Sequence, residues 1–370
     1  MTKLDAEPRS DSRIGRPLSE IDTPTLMLDR AACDRNLARM ADFFRDRPAN
    51  LRPHFKNHKC ATLAKRQIAA GAIGMTCAKL GEAEVLVEQG IDDILIANQV
   101  VGPPKIERLV RLADRAKIAV AIDHPDHATT ISEAAAAAGT VVHLLVEVDI
   151  GMGRCGVAPG QPALDLARFV TTLPGVSFGG LQAYEGHLVN VPDRVERREK
   201  AGAAMRHAID TRRLIEAAGI PVGCISGCST ATYDCTGTME GVDEIQPGTY
   251  ATMDCQHKRL ADEFENALSI QVRVISRPTP DKAVFDVGVK GAGSEFGAPV
   301  LRDYPDVELA RLLSEEHGVV RNVPDWRIGQ LLHLIPSHAC TTCNLYRELV
   351  VHEDDRVVDV WPIEASGRLT

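Results

Sequence analysis

The stretch Ile73–Ala97 reads IGMTCAKLGEAEVLVEQGIDDILIA, and its character changes twice. Ile73–Cys77 is a short apolar run, Gly81–Gln89 is amphipathic, and Ile94–Ala97 is a second short apolar run. Runs of that length on either side of a helical pattern predict a strand, a helix and a parallel strand. The rhythm continues downstream. Apolar runs recur at Ile118–Ile122, Val141–Val148, Phe178–Ala183, Cys224–Ser226 and Glu244–Gln246, and helical segments fall between them at Pro104–Ala113, Ala128–Ala138, Pro162–Thr172 and Arg194–Ala218. With Leu51–His54 upstream, eight strands are counted by Gln246. Eight parallel strands within about 200 residues predict an α/β fold, a closed (β/α)8 barrel of the TIM type. No G-x-G-x-x-G follows the first strand, which removes the main reason to prefer an open dinucleotide-binding sheet.

The flanks read differently. Thr25–Leu28 is a short strand, and Ala31–Arg45 carries Leu37, Met40, Ala41 and Phe44 at helical spacing. Past residue 265 the pattern becomes strand after strand: Ala267–Val274, Ala283–Val287, Leu331–Ile335, Arg347–Val351 and Val357–Trp361, with Asp306–Leu313 as the one helix candidate. This predicts a barrel over 30–262 and a mostly antiparallel β domain over 263–370. The N-terminal segment 18–29 is expected to join the β domain through its strand.

Composition narrows the function. Lys and Arg number 42 against 51 Asp and Glu, a net charge of −9 with both signs mixed along the chain, so no basic stripe offers a grip on nucleic acid. No apolar run reaches the roughly 18 residues of a membrane span. The polar start MTKLDAEPRSDSRIGRP lacks the apolar centre of a secretory signal. The ten cysteines are scattered, so they predict reduced thiols of a cytoplasmic protein rather than a disulfide framework. An enzyme acting on a small molecule is what remains.

In a barrel of this kind the chemistry sits at the carboxyl ends of the strands. The first strand runs into Arg52-Pro53-His54-Phe55-Lys56-Asn57-His58-Lys59. A lysine desolvated by the barrel, with other cations near it, has a depressed pKa and a free amine for nucleophilic or Schiff-base chemistry; a solvated basic loop is the bland alternative. The fifth strand ends in Gly151-Met152-Gly153-Arg154-Cys155-Gly156, where glycines permit close approach and Arg154 supplies a fixed charge. The sixth ends in Tyr184-Glu185-Gly186-His187. The seventh enters Gly227-Cys228-Ser229-Thr230 and the eighth Gly248-Thr249-Tyr250, the two loops where such barrels commonly bind phosphate.

A last cluster, Pro336-Ser337-His338-Ala339-Cys340-Thr341-Thr342-Cys343, follows a strand. On an extended chain His338 and Cys340 share one side, an N/S pair suited to zinc. A buried His beside a buried Cys is the plainer reading. With Cys343 the pattern is also compatible with half a structural zinc site or a redox pair.

Taken together, RPHFKNHK, VVGPPK, EVDIGMGRCGV, LPGVSFGGLQAYEG, FENALSI, EHGVV and PSHACTTCN resemble the D-threonine aldolase / D-serine dehydratase family of fold-type III pyridoxal-phosphate enzymes, from Asp22 to Pro362. The resemblance implies an alanine-racemase-like barrel, a β domain built from both chain ends, and a homodimer. It implies that Lys56 carries the cofactor, that Arg154 and Tyr184 line its ring, and that Gly227, Cys228, Ser229, Thr230, Gly248, Thr249 and Tyr250 hold its phosphate. It also implies that His338 and Cys340 bind a divalent metal. The substrate implied is a β-hydroxy-D-amino acid, cleaved to glycine and an aldehyde or, alternatively, dehydrated to a keto acid and ammonia as by a D-serine or D-3-hydroxyaspartate dehydratase. A non-catalytic cofactor carrier would need neither the metal pair nor the β domain, and a racemase would need no metal.

Three departures bear on that choice. The family's aldolases usually carry His-x-Asp where this chain has His338-Ala339-Cys340, and cysteine favours zinc over manganese or magnesium. Asn190 stands where those aldolases commonly have a candidate catalytic histidine, which leaves His187 as the expected base beside Lys56 and Tyr184. The phosphate loop has fewer glycines, and its Ser and Thr hydroxyls are expected to replace some backbone donors.

Overall fold

The computed structural model of the chain describes residues 11–307, 309–311 and 314–370. Strand β1 (Thr25–Asp29) and helix α1 (Arg30–Phe44) come first. Strands and helices then alternate: β2 (Asn50–Leu51), α2 (Ala61–Ala69), β3 (Met75–Cys77), α3 (Leu80–Glu88), β4 (Asp93–Ile96), α4 (Pro103–Ala113), β5 (Lys117–Ile122), α5 (Pro125–Ala138), β6 (Val142–Glu147), α6 (Gln161–Thr171), β7 (Val176–Ala183), α7 (Arg194–Ala217), β8 (Cys224–Gly227) and β9 (Glu244–Ile245). The parallel sheet runs β2-β9-β8-β7-β6-β5-β4-β3. Its two ends meet, because His54 just past β2 bridges to Thr76 of β3, whose N–H donates to the Pro53 carbonyl at 2.8 Å. The ring is the eight-stranded barrel that the strand count predicts. Strands such as β6 (VHLLVE) are buried along nearly their whole length, as parallel strands covered on both faces must be.

The helices start and stop where their sequences direct. Asp193 caps α7 by accepting the Glu196 N–H at 2.7 Å. Pro125 opens α5, and Gly139 closes it in the left-handed conformation. At the amino ends of the strands the Arg52 guanidinium, only 4% exposed, donates to both carboxylate oxygens of Glu244 at 2.8 and 2.9 Å and to Asp93 at 2.6 Å. Burial works against its charge, but these two carboxylates hold it firmly protonated.

The second compact unit gathers the described residues through Arg35, Ala251–Gln256 and Glu265–Ser366, while the barrel unit holds Asn36–Tyr250, His257–Phe264 and Gly367–Thr370. The chain therefore changes unit more often than a division into 30–262 and 263–370 provides for. A short helix, α8 (Cys255–Lys258), falls at one of these crossings. The second unit contributes β10 (Leu268–Thr279), β11 (Lys282–Phe285), β12 (Val300–Leu301), β13 (Leu309–Arg311), β14 (Gly318–Arg321), β15 (Leu331–Ile335), helix α9 (Ala339–Leu345), β16 (Glu348–Glu353) and β17 (Arg356–Pro362). The order is β13-β14-β11-β10-β1-β16-β17, with β15 pairing to β10 and β12. All pairings are antiparallel except β1 with β16, so the N-terminal strand does join this sheet, at its centre. The helix expected over Asp306–Leu313 is not formed: Leu309–Arg311 is a strand paired with β14, and residues 308, 312 and 313 lie outside the described residues. No described helix is long and apolar enough to cross a membrane.

Candidate active site

Lys56 sits in a single 3-10 turn, Phe55–Asn57, at the carboxyl end of β2. Its neighbours Phe55, Asn57 and His58 are fully buried, which pins the turn and leaves Lys56 as its half-buried member. Lys56 Nζ lies 5.9 Å from the centroid of the Tyr184 ring, and Arg154 Cζ lies 5.7 Å from the same ring. Both separations are within cation–π range. Gly186 makes the arrangement possible: a Cβ there would stand 2.3 Å from Tyr184 Cε1, so only glycine lets the ring lie across the backbone.

The other cations of the first strand end do not crowd Lys56 as charges, which corrects the expectation from sequence. Arg52 is neutralised at the opposite end of the barrel by Glu244 and Asp93. Lys59 pairs with the buried Glu82 at 3.3 Å. His58 accepts the Cys60 N–H through Nδ1 at 3.2 Å, so its Nε2–H donates to Gln67 Oε1 at 3.1 Å. Burial lowers its pKa to about 4, so the ring is neutral. His54, held well below the ordinary histidine value by burial and then by Lys56 and Arg154, keeps a buried Nδ1 with no hydrogen-bond partner among the described residues.

Arg154 leaves a glycine turn closed by Asp149, whose Oδ1 accepts the N–H of Gly151 at 2.9 Å and of Gly153 at 3.1 Å. Gly151 has φ +119°, and a Cβ on it would lie 3.2 Å from the His187 ring, so the turn and His187 pack together. Sequence reasoning passed over Glu147. Its carboxylate lies 3.6 Å from Arg154 Nη2 and accepts from Gln99 Nε2 at 2.5 Å, while burial raises its pKa. His187 is half-buried and its Nδ1 has no partner among the described residues, whereas Asn190 is exposed at the end of the same short 3-10 helix, Gly186–Asn190.

The loop after β8 is knitted together by its own side chains. Glu185, 1% exposed, accepts the hydroxyls of Thr232 at 2.7 Å and Thr236 at 2.6 Å on a single oxygen. Because the Thr232 hydrogen goes to Glu185, the Ser229 hydroxyl donates to Thr232 at 3.1 Å, and Thr232 also accepts the Ser229 N–H at 3.0 Å. The Ser229 and Thr232 hydroxyls are therefore spent inside the loop, contrary to their expected role as phosphate donors. The Cys228 thiol is buried against Thr236 at 3.1 Å, pushed well up by burial and by Glu185, while its backbone takes φ +65°. Thr230 Oγ1 accepts the Tyr250 N–H at 3.1 Å, which ties this loop to the Gly248–Tyr250 segment, and the Tyr250 hydroxyl accepts from Gln67 at 3.0 Å. Glu185 is a residue that no spacing rule singles out; only the fold brings its carboxylate to the two threonines.

His338 and Cys340 belong to the second unit, and the chain around them is not extended as the sequence reading assumed. His338 is the N-cap of α9, and Cys340 lies in that helix's first turn. The buried Asp254 carboxylate accepts the Ala339 N–H at 2.9 Å, which satisfies a free donor at the helix start. The His338 ring hydrogen-bonds Cys340, and its Nδ1 meets Glu295 Oε1 at 2.5 Å. Burial opposes its charge, but Cys340, Glu295 and Asp254 together lift its pKa to about 9. Cys343 is buried and, like all ten cysteines, is not in a disulfide.

Residues 28–256 match the alanine racemase N-terminal domain family, and residues 267–352 match a serine dehydratase domain. The chain is 40% identical to a D-threonine aldolase from Arthrobacter sp over 95% of each protein. The chain belongs to the D-threonine aldolase / D-serine dehydratase family. It is a pyridoxal-phosphate-dependent lyase on the alanine-racemase fold. It is also 34% identical to the 3-hydroxy-D-aspartate aldolase of Paracoccus denitrificans (strain Pd 1222) over 96% of this chain and 94% of that one. The crystal structure of D-threonine aldolase from Filomicrobium marinum superimposes with a TM-score of 0.95 at 38% identity, covering 98% of this chain and all of that one.

Proposed function

We propose that this family member cleaves a β-hydroxy-D-amino acid between Cα and Cβ, giving glycine and an aldehyde. The observation that carries the reading is the placement of Lys56 and Arg154 about one aromatic ring at the strand ends. The residues fit pyridoxal phosphate. They offer a half-buried amine, an aromatic face, a fixed cation, and two buried atoms, His54 Nδ1 and Glu185 Oε2, that have no hydrogen-bond partner among the described residues. When bound, the cofactor supplies an electron sink for the charge left on Cα. Lys56 is the amine that attaches it, and Arg154, aimed by Glu147, holds compensating positive charge beside the ring. The main-chain N–H groups of Gly227, Cys228, Thr230, Gly248 and Thr249, with the Thr230 hydroxyl, are the donors for its phosphate, while the N–H groups of Ser229 and Tyr250 hold the two loops together. His187 takes the proton from the substrate's β-hydroxyl, a transfer worth about 10²–10⁴-fold in rate for a well-placed base.

The N/S pair of His338 and Cys340, with anionic groups drawn around one imidazole, also fits a divalent cation, zinc in preference to manganese or magnesium. No set of three or more His, Cys, Asp or Glu among the described residues is arranged to hold a metal, so the protein would supply two ligands and leave the other positions open. A metal so held acts as a Lewis acid toward a hydroxyl oxygen. Cysteine in place of aspartate keeps dehydration as a second reading, in which Cα–H is removed and hydroxide leaves. We further propose a cytoplasmic homodimer, supported by ten cysteines that form no disulfide and by the family.

Two measurements test this reading. The purified protein should absorb at about 410–430 nm through its lysine-bound cofactor, and Lys56→Ala should lose the band; an unchanged spectrum in that variant refutes the lysine's role. Incubation with D-threonine and with D-serine should yield glycine plus acetaldehyde from the former. Ammonia and a keto acid as the main products would establish dehydration instead.

A further inference from the structure

We propose that Glu295 is a positioning residue for the metal: it fixes the His338 ring so that Nε2, and not Nδ1, is the ligating nitrogen. The inference rests on the proposed metal role of His338 and Cys340. Nδ1 is committed to Glu295 Oε1 at 2.5 Å, and the same carboxylate receives the Thr341 hydroxyl. A carboxylate facing Nδ1 keeps the hydrogen on that nitrogen, so a cation that takes the place of the Nε2 hydrogen meets the ring on the side away from Glu295.

The loop that carries Glu295 is built onto the ligand-bearing segment. Ser337 Oγ donates to the Gly293 carbonyl at 2.7 Å, and the Gly293 N–H donates to Thr342 Oγ1 at 3.1 Å. The Phe296 ring lies against the His338 ring with centroids 4.7 Å apart. His338 is thus held from two directions, by a ring on its face and a carboxylate on one nitrogen. Asp254, the other carboxylate near it, is engaged by the Ala339 N–H and fixes the start of α9 instead. The side chain of Glu295 is 38% exposed against 19% for His338, so its removal should disturb the ring's orientation far more than the fold.

Removing an orienting carboxylate from a ligating histidine typically weakens metal binding about 10–100-fold. The test is a zinc titration of metal-stripped protein, its pyridoxal phosphate retained, in competition with a chromophoric chelator. Wild type, Glu295→Ala, Glu295→Gln and His338→Ala are compared, and the thermal midpoint of each metal-free form is recorded. Glu295→Ala should bind zinc about 10–100-fold more weakly with an unchanged metal-free midpoint. Glu295→Gln, whose amide oxygen still accepts from Nδ1, should fall between it and wild type. Wild-type affinity in Glu295→Ala, alongside a loss of binding in His338→Ala, overturns the positioning role alone. A loss in Glu295→Ala as complete as in His338→Ala makes Glu295 a ligand and also overturns it. Full zinc binding by His338→Ala removes the metal reading itself.

Discussion

A single histidine shows how burial turns a residue type into a pH response. His58 is locked between the Cys60 N–H and Gln67, and burial lowers its pKa to about 4; His333 in the second unit is lowered similarly, by burial and then by Arg302. In the unfolded chain both titrate at about 6.5. The folded state therefore binds fewer protons, and the stability these neutral rings contribute is complete above about pH 6.5 and is lost as pH falls toward about 4. Denaturant midpoints should decline over that window, and His58→Gln should make the decline shallower; equal slopes in both proteins would show that His58 does not contribute. Residues such as Lys56, Arg154 and Tyr184 were legible in sequence because they stand at the ends of recognisable strands. Glu147, Glu185 and Glu295 were not, because a carboxylate has no periodicity and its meaning lies in a partner that only the fold supplies.

At the level of elements, the barrel is held at its amino end by a polar device as well as by its apolar core. Arg52 joins the end of β2 to the first residues of β9 and β4 through two carboxylates. Removing one partner of a buried ion pair leaves an undercompensated charge, so Glu244→Ala should cost on the order of 3 kcal/mol in chemical denaturation. A loss below about 0.5 kcal/mol, typical of neutral surface changes, would mean that Asp93 alone suffices for Arg52. The eight barrel strands were readable because buried parallel strands are continuous apolar runs. The strands β12, β13 and β14 are two to four residues long, too short to show an alternation, and α9 covers only two turns with the sequence ACTTCNL. Their conformation is set by the sheet and by Asp254, which explains why the segment His338–Cys340 reads as extended chain in the sequence.

For the whole molecule, the informative fact is which segments make each unit. Strand β1 lies between β10 and β16, so residues 263–370 alone lack the middle of their own sheet. That fragment would bare two apolar strand edges and should aggregate or melt without cooperativity. The same fragment fused to residues 18–35 should unfold in a sharper transition, read by circular dichroism and size-exclusion chromatography. Identical cooperative melting of both would show that β1 is dispensable. The change of pattern near residue 265 was visible in the sequence as strands replacing helices. The return of residues 251–256 to the β unit was not, because six residues carry no composition of their own.

The central place of β1 also sets a timetable for synthesis. The strand leaves the ribosome about 240 residues before β10, the first neighbour it will pair with, and β16 comes later still. At roughly 5–20 residues per second, its apolar Leu26, Met27 and Leu28 wait about 10–50 s for a sheet to enter. The barrel, assembled from consecutive segments, can close in that interval. The nascent chain thus carries its first strand as a loose end past an already folded body, and that strand is where a chaperone has most reason to bind.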